Sequence, residues 1–336
     1  MKRSPQFAKS RCSAPVARLL RFCPVLFIAA CALLAPAARA QNDPALTAKL
    51  QSMITGFQGH VSFYAHDLAT GKTVAIDADE PVPTASVIKL AILYEALQQI
   101  RAGRLHLDDR LTFAHADQVP GSGVLLFFDT PMTITFKDAL TLMIALSDNT
   151  AANLSMQHVG IKNVDDRLVA LGMKDTWLYK KVFQPAEGPM PPDQKDFGLG
   201  KTTAREMADL MEHFATCNLG PAPTPSASAA ASPIPTDQAL CNDALHMLKV
   251  QFYRDGIPRY LEGADAPKNI TAIANKTGSL NQVRNDVGAV FTRQGTIVIS
   301  VFTHGNADTS WTADNQAEVL TARLAQAVVA AWAPAP

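Results

Sequence analysis

Residues 85–93 read Ala85-Ser86-Val87-Ile88-Lys89-Leu90-Ala91-Ile92-Leu93, and the pattern continues to Ile100. Val87, Ile88, Leu90, Ala91, Ile92 and Leu93 leave almost no polar face, so a helix formed by these residues belongs inside a core. Ser86 and Lys89, three apart, share one face of it. A serine hydroxyl is a weak nucleophile until a neighbouring base takes its proton, and a desolvated lysine can be that base. Taken alone, the pair equally describes a helix cap followed by a lysine whose amine reaches solvent.

Working outward, residues 60–77 alternate apolar and polar side chains about a turn at Asp67–Lys72 containing Thr70-Gly71, the pattern of a β-hairpin. The middle, about 105–250, is expected to be mostly helical, with helices over Phe136–Leu146, Ala151–His158, Val164–Leu171, Thr203–Ala215 and Cys241–Phe252. Strands return over Thr271–Asn275, Ala289–Thr292 and Thr296–Phe302, and an amphipathic helix runs from about Ala313 to Trp332. Strands at both ends and helices between them predict an α/β domain, 41–104 with 255–336, interrupted by an all-helical domain over 105–254. The chain of 336 residues is 48% hydrophobic, enough to bury a sizeable core. Its Gly and Pro content is ordinary, which excludes collagen, coiled coil and disorder.

Lys2, Arg3, Lys9, Arg11, Arg18, Arg21 and Arg39 place seven basic groups and no acid in residues 1–40. An apolar run follows from Phe22 to Leu34, and Ala38-Arg39-Ala40 has the small-x-small form of a signal-peptidase site, so cleavage after Ala40 and export to the periplasm or beyond are expected. The run is short for a spanning helix. Ile28-Ala29-Ala30-Cys31 resembles a lipobox, but apolar residues continue past Cys31, so a lipoprotein is the lesser reading. Residues 41–336 then carry a net charge of −7, which argues against nucleic acid as a partner. Only Cys217 and Cys241 remain in that segment, on either side of a Pro/Ala/Ser-rich insert over 218–240. In an oxidising compartment they are expected to form one disulfide closing the insert, the alternative being two buried thiols.

Two further motifs matter. Ser147-Asp148-Asn149 stands between two expected helices, where Asp or Asn is commonly a cap. Lys276-Thr277-Gly278-Ser279 ends the strand-like run Thr271–Asn275; its glycine would admit a ligand backbone and its lysine and hydroxyls could hold a carboxylate. Ser-x-x-Lys, then Ser-Asp-Asn, then Lys-Thr-Gly is the signature of the penicillin-recognising serine enzymes. The sequence resembles that family, most closely class A β-lactamases, across essentially all of residues 41–336, and Gly121-Ser122-Gly123 and the stretch Asp196…Thr202 also match in position.

The resemblance implies a β-lactamase/transpeptidase-like fold, an antiparallel sheet flanked by helices with an inserted helical domain. It implies that Ser86 attacks the carbonyl, Lys89 accepts its proton and Ser147 passes a proton to the leaving nitrogen. Asn149 would hold the substrate's side-chain amide; Lys276, Thr277, Gly278 and Ser279 would form the carboxylate-binding strand; and the backbone N–H groups of Ser86 and Ser279 would form the oxyanion hole. The substrate would be a small β-lactam or a cell-wall peptide, with no cofactor and no metal, and the chain a monomer. A penicillin-binding, D,D-peptidase-like activity is the second reading, and a non-catalytic peptidoglycan- or partner-binding descendant the third.

One departure stands out. Class A β-lactamases carry a Glu-x-x-Leu-Asn motif whose glutamate activates the deacylating water. Aligning Pro191 and Asp196 to that loop without gaps puts Phe183 at the glutamate position and Glu187 at the asparagine, leaving Glu187 as a weak candidate base from a shifted loop. Gly198-Leu199-Gly200-Lys201-Thr202-Thr203 is similar to a phosphate loop but has Lys195 in place of its first glycine. The eight histidines show no metal-ligand spacing, and no Gly-x-Ser-x-Gly is present.

Overall fold

The computed structural model describes residues 41–186, 188–224, 234–264 and 266–334. The expected signal segment with Cys31, the candidate Glu187 and the centre of the Pro/Ala/Ser-rich insert lie outside the described residues. The first part of the chain forms β1 (Gln41–Asn42), α1 (Pro44–Ile54), β2 (His60–Asp67), β3 (Lys72–Ile76) and β4 (Val82–Pro83). A 3₁₀ turn over Ala85–Ile88 then leads directly into α2 (Lys89–Arg101). The middle comprises β5 (Arg110–Phe113), β6 (Met132–Thr135), α3 (Phe136–Ala145), α4 (Asn149–Val159), α5 (Ile161–Ala170) and β7 (Trp177–Leu178). It continues with α6 (Gln194–Phe197), β8 (Gly200–Thr202), α7 (Ala204–Thr216) and α8 (Asp237–Lys249). The chain closes with β9 (Ile270–Leu280), β10 (Val283–Thr292), β11 (Thr296–His304) and α9 (Gln316–Trp332).

Strands from the two ends of the chain meet in one six-stranded sheet of order β1-β3-β2-β11-β10-β9. The four pairings from β3 to β9 are antiparallel, as expected. The edge strand β1 departs from that expectation: Gln41 and Asn42 lie parallel to Lys72 and Thr73, so the sheet is mixed. Alternation along the strands divides the core in two. Phe63, Ala65, Ile297, Ile299 and Val301 pack against Leu46 and Leu50 of α1 and Leu324 and Val328 of α9. Tyr64, Val287, Ala289, Val298 and Phe302 turn to the other face, where α2, α7 and the helical middle lie.

Every residue of α2 is buried, including Lys89, Glu95, Gln98, Gln99 and Arg101. Buried polar groups are tolerable only when paired. Glu95 meets Arg167 Nε at 2.8 Å, and Gln99 Nε2 donates to the Val159 carbonyl. Arg101 donates to both carboxylate oxygens of Asp237 and to the Leu219 and Gly220 carbonyls. The same arginine therefore ties down both sides of the insert. Cys217 and Cys241 are joined by a disulfide with S–S 2.08 Å across the same base. α8 begins at Asp237, four residues before the expected start and inside the expected insert, because Thr236 accepts from the Ala239 N–H and caps it.

Candidate active site

Ser86 sits in the 3₁₀ turn directly after Ala85, whose φ of +44° is left-handed. The turn is held in place from three sides. Thr84 donates its N–H and its Oγ1 to the Gly200 carbonyl, each at 3.0 Å, and Asn285 Nδ2 donates to the Pro83 and Thr84 carbonyls. Gly278 of β9 presses against the turn so closely that a Cβ there would lie 2.8 Å from the backbone nitrogens of Ser86 and Val87. The sequence reading reserved that glycine for a ligand's approach; the first backbone it admits is that of the Ser86 turn. Lys276-Thr277-Gly278 also lies within β9 rather than ending it, since the strand runs on to Leu280.

Lys89, one turn after Ser86, is fully buried, and its Nζ faces the Ser147 carbonyl at 2.7 Å, Asn149 Oδ1 at 3.0 Å and Ser147 Oγ at 3.2 Å. Lys276 reaches the same hydroxyl from the opposite side, at 3.1 Å, and donates to the Thr277 carbonyl at 2.7 Å. Burial holds the Lys89 amine well below its usual range, the charge of Lys276 lowers it further, and Asp148 partly opposes both. Burial also brings Lys276 down to about 7 against the opposing pull of Asp286. One hydroxyl thus stands between two lysines whose charged forms are disfavoured.

Ser147 has φ +53°, a left-handed backbone that turns its side chain between α3 and α4. Asp148 is structural. Its carboxylate accepts from Ala151 N at the start of α4 and from Val124 N and Leu125 N of the preceding loop. The Gly121-Ser122-Gly123 turn is drawn in by the same group: a Cβ on Gly123 would lie 2.2 Å from Asp148 Oδ2. Asn149 is engaged at both ends, Oδ1 with Lys89 and Nδ2 with the Pro120 carbonyl.

Half-buried Ser86 lies where two cavities join. One, of about 530 Å³, is shared with Ser147, Thr277, Ser279, Arg284 and Trp311. The other, of about 980 Å³, has Asn149, Val182, Phe183, Leu199, Leu280 and Trp311 in its wall. Phe183 has φ +55° and is 66% exposed, with Cε2 3.3 Å from where a Gly121 Cβ would be. Its loop is pinned beside it by Asn153, which exchanges two hydrogen bonds with the backbone of Val182. Three of the non-glycine residues with positive φ, Ala85, Ser147 and Phe183, therefore border one cleft. Strain gathered in this way marks a place where the backbone is set to aim side chains.

Sequence reasoning missed Arg284, Asp286, Trp311 and Glu318. Arg284 lies opposite Ser279 in register and so shares its face; the hairpin joining the last motif to β10 carried that signal. Asp286 is buried beneath the site, raised to about 6 by burial, and accepts from Asn275 Nδ2 and Ile257 N. The Gly198–Thr203 stretch is not a phosphate loop: Gly200–Thr202 is strand β8, paired with β4 and β7. Among the described residues no group of three or more His, Cys, Asp or Glu could hold a metal ion.

A β-lactamase of Sphaerobacter thermophilus superposes with a TM-score of 0.69 at 28% identity, over 86% of this chain and 96% of that one. The penicillin-binding protein PBP-A shares the fold at the same TM-score with 20% identity, over 88% of this chain and 98% of its own. In sequence, the β-lactamase regulatory protein BlaB of Streptomyces cacaoi is 26% identical over 296 residues, 79% of this chain and 90% of that protein. Residues 45–332 match the model of the β-lactamase enzyme family, and the chain belongs to that family.

Proposed function

We propose that the chain is an exported serine hydrolase that takes β-lactams onto Ser86 as an ester and releases them by slow hydrolysis. The observation that carries the reading is the Ser147 hydroxyl held between Lys89 and Lys276 beside the cleft into which Ser86 opens. A neutral Lys89 has two hydrogens and one lone pair. The Ser147 carbonyl and Asn149 Oδ1 are pure acceptors that take the hydrogens, which leaves the lone pair for a hydroxyl proton. Ser86 Oγ attacks the lactam carbonyl as its proton passes to Lys89. The C–N bond breaks as Ser147 gives its proton to the nitrogen, and Lys89 restores the Ser147 proton. The proton lost by Ser86 thus ends on the leaving nitrogen, and an acyl ester remains. Thr277 and Ser279 line the same cavity as Ser86 and would offer their hydroxyls to the substrate carboxylate.

Phe183 favours a second reading, a penicillin-binding or D,D-peptidase-like role. The gapless alignment puts Phe183, whose ring is exposed, at the position of the water-activating carboxylate, which supports that reading. Intact-protein mass spectrometry with benzylpenicillin tests both. A mass increase of one penicillin that decays with turnover supports the first, and an adduct that persists supports the second. Ser86→Ala should abolish the adduct while keeping the thermal midpoint, because the hydroxyl makes no hydrogen bond among the described residues. An undiminished adduct on Ser86→Ala would remove Ser86 as nucleophile.

A further inference from the structure

The smaller cavity, beside Thr277 and Ser279, is the one into which the carboxylate-bearing, leaving part of a substrate extends if the reading above holds, and the following rests on that reading. Its far wall is unlike a second carboxylate site. Arg284, a cation in that wall, has its guanidinium committed: Nη1 donates to the Leu280 and Val283 carbonyls and Nη2 to the Ser310 carbonyl at 2.6 Å. One face of that guanidinium is covered by Trp311 at 4.4 Å. Nearby Arg259 is likewise held by Asp314 and the Ala313 carbonyl.

The acids of the wall are not matched in this way. Asp255 is exposed to the cavity with no partner among the described residues. Glu318, its side chain 17% exposed, has Arg284 Nε at 3.7 Å as its nearest cation, too long for a hydrogen bond. Two exposed aromatic rings, Tyr253 and Trp311, border the same space. An exposed carboxylate, a second that is mostly buried with only a long ion pair to Arg284, and the Tyr253 ring beside a Trp311 already stacked on Arg284 together attract a cation, by charge and by the ring quadrupole. We propose that this limb of the cleft binds an ammonium or other cationic group on the leaving side of the substrate, with Asp255 and Glu318 as its specificity-determining carboxylates. The substrates it fits best carry both charges there: a carboxylate for Thr277 and Ser279 and a cation further out, as in a peptide whose departing residue is a diamino acid.

The test uses two cephalosporins with the same acyl side chain, one with a cationic methylpyridinium group at C3 and one with a neutral acetoxymethyl group. Acylation rate constants are measured at pH 8, where Glu318, raised to about 7 by burial and by Asp286, is ionised. The quantity read is the cationic-to-neutral ratio in the full chain divided by that in Asp255→Asn, Glu318→Gln and the double variant, so that the intrinsic reactivities of the two compounds cancel. We expect the ratio to fall about fivefold for each carboxylate removed. Asp255→Asn, at an exposed side chain, keeps the test valid if the Glu318 variant fails to fold. Acylation by both compounds with the same ratio in all proteins would overturn this inference and leave the proposed function standing. No acylation by either compound or by benzylpenicillin would overturn both.

Discussion

At the scale of single residues, burial decides the chemistry. Lys276 is fully buried, and its folded value of about 7 lies below the unfolded 10.5. Between those values the unfolded chain binds the proton that the folded chain has shed, so the stability penalty of Lys276 is full below about pH 7 and is lost as pH rises towards 10.5. Lys89 is shifted in the same direction. The thermal midpoint of the wild type should therefore gain on that of Lys276→Met from pH 7 to 10. A difference that is flat or falls across that range would show that Lys276 is charged in the fold. The cluster of Ser86, Lys89, Ser147, Asn149 and Lys276 around one cleft was legible, because three ordered motifs need only residue identity and spacing. The side chains' partners were not. Nothing in the sequence says that Asn149 is bound at both ends, or that Gly278 yields to the Ser86 turn, since both depend on chains that meet across the cleft.

Elements were legible where one face is buried and blurred where a segment is uniformly polar or short. The expected helices of the middle stand within a few residues of their observed ends, apart from the earlier start of α8. α1 went unread, although Asp43-Pro44 is a cap followed by a first-turn proline, because its face towards the sheet is narrow, with only Leu46 and Leu50 buried. β9 was cut short at Asn275, since a buried lysine breaks the apolar alternation; Lys276 belongs in the strand because it faces Ser147. The insert between α7 and α8 is closed twice, by Cys217–Cys241 and by Arg101. Arg101→Met should destabilise the protein by about 2–3 kcal/mol through the lost charged hydrogen bonds. Reduction of the bridge should cost at most about 3 kcal/mol in chain entropy. Penicillin labelling of Ser86 should survive both changes, which lie outside the three motifs. Calorimetry and thiol titration check this, and two thiols reacting in the unreduced, denatured protein would contradict the bridge.

For the molecule as a whole, the sheet brings strands from both ends of the chain beside the buried α2, and the helical middle supplies the opposite wall of the cleft. The sequence's strand–helix–strand order made that architecture legible, while the cavity walls, assembled from loops far apart in the chain, were not. The loop bearing Phe183 belongs to that wall, and Asn153 fixes its backbone there. An ester on Ser86 is hydrolysed only when water reaches it with a base to take its proton, and such a base contributes about 10²–10⁴-fold. The proposed acylation would draw on Lys89, Ser147 and Lys276, which lie in direct contact, whereas the Phe183 ring supplies no proton acceptor. Deacylation should therefore limit turnover, and stopped-flow hydrolysis of a chromogenic cephalosporin should show a burst equal to the enzyme concentration, then a slow steady rate. Phe183→Glu should leave the burst in place and raise the steady rate at least tenfold if the loop holds the new carboxylate where a water can meet it. Glu187→Gln separates the remaining source of base: a collapse of the steady rate with the burst intact would assign the water to Glu187. Fast steady hydrolysis with no burst, indifferent to both substitutions, would mean that deacylation is driven from the lysine side of the cleft instead.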